Sequence, residues 1–147
     1  MLKQQVAHGP GGRVLVMDSI AQVAADDADA IVVAASHGGA SSAHYALQVP
    51  LALVVFNDAG VGKDAAGITG LKLLQERGVA AAAVSHSSAR IGDAQDMWDH
   101  GQISHVNAAA RRWGLVPGAA LRDALTKRVN ASDAAIAGPR ADGPLLP

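Results

Sequence analysis

A doubly wound, three-layer α/β fold of the Rossmann or flavodoxin kind is what this sequence predicts: a mainly parallel sheet of four or five strands flanked by helices. Three observations carry the prediction. Four short apolar runs, at 14–17, 31–35, 51–56 and 79–84, have the length of buried strands rather than of helices. Segments with helical spacing and caps lie between them, so strands and helices alternate along the chain. Each run also ends in polar and glycine residues, and the carboxyl edge of a parallel sheet is where such folds bind ligands.

Taken in order, residues 1–12 are a short lead-in that closes on Gly9-Pro10-Gly11-Gly12, a turn or flexible entry. A strand over 13–17 precedes a short helix over 19–25, with Asp18 as its cap. Residues 31–35 form a continuous apolar strand buried on both faces. A helix over 41–48 is capped by Ser41 or Ser42, and Pro50 then forces extended chain into the strand 51–56. The helix over 64–77 has Asp64 as its cap, Ile68, Leu71 and Leu74 on one face, and Gly78 where a left-handed residue ends it. Gly67 and Gly70 cost helix propensity there and suggest close approach to the sheet. After the strand 79–84, helices are expected over 93–100, 104–113 and 119–129, with breaks at Gly101, Gly114 and Pro117-Gly118. The chain reads as one domain over 1–130, followed by a flexible arm over 131–147 that carries Gly138-Pro139 and Gly143-Pro144.

Composition narrows the function classes. The net charge is −1 and the longest basic run is Arg111-Arg112, so a phosphate-neutralising face for nucleic acid is not expected. The chain has no cysteine, which excludes thiol catalysis, disulfides and zinc–thiolate sites. No apolar stretch approaches the ~20 residues of a membrane span, and the amino terminus lacks a signal core. A cytoplasmic protein is expected. Only 3% of residues are aromatic and alanine supplies much of the apolar half. Such a core buries little area per residue, so self-association through Met97, Trp98 and Trp113 is expected.

The candidate site residues sit in the clusters after the strands. His37-Gly38-Gly39-Ala40-Ser41-Ser42 reads as an anion cradle, because glycines admit a ligand to the backbone and the following helix start offers free N–H groups. Asn57-Asp58-Ala59-Gly60-Val61-Gly62-Lys63-Asp64 looks superficially like a phosphate loop. Asn57 replaces its first glycine, however, and Asp64 stands where the magnesium-binding hydroxyl belongs. The turn still brings Asp58 and Lys63 to a strand end. The third cluster, 85–93, adds Ser85, His86, Ser87 and Arg90, an arginine suited to bidentate binding of a carboxylate or phosphate. His37, Asp58 and His86 could together surround a metal ion, but no local ligand spacing supports this and no cofactor is expected. Asp18, Asp58 and Ser85 resemble, in order, the strand-end residues of response-regulator receiver domains. The lysine–proline pair that follows a fifth strand in those domains is missing.

These residues point to a small enzyme acting on a compact anionic metabolite at the carboxyl edge. Gly38, Gly39 and Ser41 would hold the anion with Arg90, while Asn57, Ser85 and Ser87 would contact the rest of the substrate. His37 or His86 would move a proton with Asp58 as orienter or base, and Lys63 would stabilise negative charge or act as a base. Hydrolysis of a small amide or ester is the first expectation, and a lyase or isomerase using proton transfer the second. The alternative class is a non-catalytic metabolite-binding or regulatory subunit.

Overall fold

The computed structural model describes residues 1–131 of the chain. The four apolar runs form β2 (Gly12–Met17), β3 (Ile31–His37), β4 (Leu53–Asn57) and β5 (Ala80–Val84). They pair in parallel, each beside the next in sequence. Two further strands, absent from the sequence reading, flank them. The lead-in is β1 (Lys3–Gly9), which turns back at Pro10-Gly11 and pairs antiparallel with β2. The other is β6 (Ile103–Val106), antiparallel to β5. The result is a mixed six-stranded sheet in the order β1-β2-β3-β4-β5-β6.

That order corrects the doubly wound expectation. The chain never reverses direction across the parallel strands, so right-handed crossovers all fall on one face. The 3-10 turn at Ile20–Gln22 and the helices α1 (Ala40–Ala46) and α2 (Thr69–Glu76) make those crossovers. Ile20, Ala43, Ala46, Leu71 and Leu74 cover Met17, Val32, Ala34, Val54 and Phe56 in one core. The opposite face is covered only after β5, by α3 (Ala94–His100), α4 (Ala108–Arg112) and α5 (Leu121–Asn130). Met97, Trp98, Leu121, Leu125 and Val129 there pack on Val14, Val16, Ile31, Val33 and Val55. The molecule is thus three-layered, but it has no point where the strand order reverses. It departs equally from the 2-1-3-4-5 order of receiver and flavodoxin-like domains.

Alanine has a specific use in β5. Its Ala80-Ala81-Ala82-Ala83 run is buried on both sides between α2 and α4. Asn107, at the start of α4, locks that arrangement. Its Oδ1 accepts the N–H groups of Ala81 and Ala110, and its Nδ2 donates to the carbonyls of Leu71 and Val79. All four hydrogen-bonding positions of this buried amide are thereby used, removing the penalty of an unsatisfied polar group.

Other elements differ in extent. The helix expected over 64–77 begins only at Thr69, because Asp64 and Ala65 have left-handed φ values of 57° and 58°. The helix expected over 104–113 divides into β6 and α4, and Asn107 caps α4. Met97 and Trp98, expected to face another subunit, are buried in the chain's own core. Trp113 lies beneath the Arg128 guanidinium, 4.0 Å from its ring centre. The expected arm lies outside the described residues apart from Ala131. No helix among the described residues is long and apolar enough to cross a membrane.

Candidate functional site

Parallel pairing brings the ends of β2, β3, β4 and β5 to one edge, so the clusters predicted from sequence do share an edge. They divide there into two groups. The first centres on Asp58, which follows β4 and whose side chain is 7% exposed. Its Oδ1 accepts the N–H groups of Gly60 and His86 at 2.8 and 3.0 Å. The His86 Nδ1 lies 3.5 Å from the same oxygen, and the His105 Nδ1 lies 3.9 Å from Oδ2. Two imidazoles therefore converge, each through Nδ1, on opposite oxygens of one buried carboxylate. Burial raises the Asp58 pKa, but hydrogen bonds from Gly60, Ser104 and His86 and the charge of His105 outweigh it, leaving the carboxyl below its usual range.

β6 supplies the second imidazole, and its irregular register explains how. Ala83 pairs with His105 and Val84 with Ile103, so Ser104 is the extra residue of a bulge. Bulges re-aim side chains next to sites. Ser104 Oγ lies 2.9 Å from the His105 Nδ1 and donates to the Ala83 carbonyl at 3.3 Å. Which of Ser104 Oγ and His105 Nδ1 donates to the other depends on the imidazole tautomer. The Nε2 atoms of His86 and His105 make no hydrogen bond among the described residues. The His86 and His105 side chains are 60% and 37% exposed. Each ring thus has the Asp58 carboxylate on its Nδ1 side and an Nε2 unbonded among the described residues.

The loop from Asp58 to Thr69 shapes the entrance. Ala59, Val61, Asp64 and Ala65 all have φ between 51° and 67°, and Gly60 and Gly62 have φ of 78° and 74°. A β-branched residue in this region is costly, so Val61 is held there by its surroundings. Its N–H donates to the Asp58 carbonyl and its carbonyl accepts from Gly67. Gly60 faces the His86 ring. Lys63 is exposed and makes no ion pair among the described residues.

The glycines of the expected anion cradle are used differently. Gly38 donates its N–H to Asn57 and accepts from the N–H of Gly70, while the Gly39 N–H turns back to His37. A Cβ on Gly38 would stand 2.6 Å from the Gly67 carbonyl oxygen, and one on Gly39 2.8 Å from the His37 Nε2. They permit close packing of two loops. Asn57 is fully buried, with its amide bonded to the Ala89 carbonyl and the Ala59 N–H. Ser85 and Ser87 bond to each other at 2.6 Å. Arg90 is exposed and pairs with Asp93 at 3.1 Å.

The second group is a cleft of about 360 Å³ above the ends of β2 and β3, which His37 and Ser41 line. Asp58, Lys63, His86 and Arg90 do not line it. The loop 85–93 walls both regions, because it places His86 beside Asp58 and carries Ile91 and Gly92 to the cleft. Asp18, another strand-end acid, holds the structure together rather than capping the turn after it. Its two oxygens accept the N–H groups of Leu2 and Ala94.

His37, Asp58 and His86 do not converge as metal ligands, and no group of three such side chains does so among the described residues. Sequence reasoning missed Ser104 and His105 by placing them in a helix. Ile103-Ser104-His105-Val106 reads apolar–polar–polar–apolar because of the bulge, so no strand alternation marked them. Comparisons with protein-family models, with curated proteins and with solved structures returned no match.

Proposed function

We propose that this protein is an enzyme that moves protons on a compact anionic metabolite, with His86 and His105 as its acid–base pair. One observation carries the reading: both imidazoles turn Nδ1 to the Asp58 carboxylate and leave Nε2 open. The Asp58 negative charge, 3.5 and 3.9 Å from the two Nδ1 atoms, favours the proton on Nδ1 and leaves a basic Nε2 in front. Lys63 offers an exposed positive charge from the adjoining loop to the anionic end of the substrate.

The same geometry orders the possible reactions. A serine nucleophile would have to sit at an imidazole Nε2, with the carboxylate at Nδ1. Ser104 shares the Nδ1 side with Asp58 instead. Hydrolysis of a small amide or ester would therefore use a water activated by one histidine. Two imidazoles on one carboxylate favour a lyase or isomerase, in which one ring removes a proton and the other returns or supplies one.

The test needs no prior substrate. A panel of small hydroxy-, keto- and amino-carboxylates, with simple esters and amides, is incubated with the protein in D₂O and followed by NMR. Deuterium incorporation or product is expected for at least one compound. His86→Gln and His105→Gln should each slow it by about 10²-fold or more, the usual worth of a general acid or base. Turnover that survives both substitutions would remove the pair from the chemistry. Binding without turnover of any compound would favour the metabolite-binding subunit.

A further inference from the structure

The cleft above β2 and β3 has a chemistry of its own. It is an open cleft of about 360 Å³, within the usual size range for small-molecule sites. At ~30 Å³ per water-sized unit, that is room for a molecule on the order of ten to fifteen non-hydrogen atoms. Tyr45 and Ile91 stand on its wall, 40% and 47% exposed. Among the described residues only four large apolar side chains are exposed, and two of them meet here. Their sequence positions are far apart, one on α1 and one in the loop after β5.

The polar groups of the cleft are equally selective. Ser41, Tyr45 and the His37 ring make no side-chain hydrogen bond among the described residues, so they remain available to a ligand. No lysine or arginine lines the cleft. The Asp18 carboxylate lies in its wall, held in place by the N–H groups of Leu2 and Ala94 and acted on by the amino-terminal charge. An anion entering would meet this carboxylate in the wall, with no lysine or arginine among the described lining residues to receive it.

We propose that this cleft is a second binding site, for a neutral or cationic ring-bearing molecule held between Tyr45 and Ile91 and hydrogen-bonded by Ser41 and His37. It is chemically the opposite of the anion site expected on the same glycine-serine segment, and it does not depend on the acid–base pair.

Three probes of one shape and different charge test it: tyramine, 4-hydroxybenzyl alcohol and 4-hydroxybenzoate. Each is titrated to millimolar concentration into the ¹⁵N-labelled full chain. Tyramine and the alcohol should shift the amides of Ser36, Ser41 and Gly92, and 4-hydroxybenzoate should bind at least fivefold more weakly. Tyr45→Ala and Ile91→Ala, both at exposed positions, should each weaken tyramine binding at least fivefold, and Tyr45→Phe should retain most of it. Shifts confined to other regions, equal binding of the benzoate, or unchanged binding in both alanine variants would overturn the proposal.

Discussion

Single side chains at the carboxyl edge do two kinds of work, and the type of residue does not reveal which. Asp18 and Asp58 both follow a parallel strand and both accept two backbone N–H groups. Asp18 spends its oxygens on Leu2 and Ala94, so it joins the amino-terminal strand to the start of α3. Asp58 keeps room for two imidazoles. Hydrogen bonds from Ala94 and then Leu2 hold the Asp18 carboxyl below its usual range, against a smaller effect of burial. A carboxyl with a lowered folded-state pKa stabilises the fold above the unfolded-state value, about 3.9, and loses that contribution as pH falls through the folded-state value. Asp18→Ala should therefore cost about 1.5–3 kcal/mol at pH 7, the scale of hydrogen bonds to a charged acceptor. The difference from wild type should shrink below about pH 4. Urea unfolding at pH 7 and pH 3 checks both statements. The spacing in sequence identified both acids as strand-end residues, but the Asp18 partners lie 16 and 76 positions away, beyond any local pattern.

At the scale of elements, the glycines show how one sequence signal supports two physical readings. Gly38 and Gly39 read as a ligand cradle and Gly67 and Gly70 as a close approach to the sheet. The two pairs in fact approach each other. A Cβ on Gly70 would stand 2.5 Å from the Gly39 carbonyl oxygen, and one on Gly67 would overlap the Asp58 carbonyl. Gly→Ala in an open helix normally gains up to about 1 kcal/mol. Gly70→Ala should instead cost roughly 1–3 kcal/mol, as overpacking does, and thermal or urea unfolding reads the sign directly. β6 shows the opposite limit. Four residues with one bulge carry no alternation to set against the helical pattern that follows, so the strand and its histidine were hidden together.

For the whole molecule, the four parallel strands and their shared edge were legible because continuous apolar runs of this length are buried strands, whereas the two antiparallel strands were not. Strand order was not. Sequential and reversing orders use the same runs and the same helices, and only the face on which each crossover lies separates them. Here the crossovers occupy one face and the carboxyl-terminal helices the other. β6 then closes the edge beside β5 and brings His105 toward Asp58 opposite His86. The account rests on that convergence, and the protonation pattern of the two imidazoles reads it most directly. Two-bond ¹H–¹⁵N NMR correlations of the neutral rings should show His86 and His105 with the proton on Nδ1 and a bare Nε2. In Asp58→Asn both should move toward the Nε2–H form usual for free histidine. Rings already in the Nε2–H form in the wild type, and unmoved by Asp58→Asn, would contradict it.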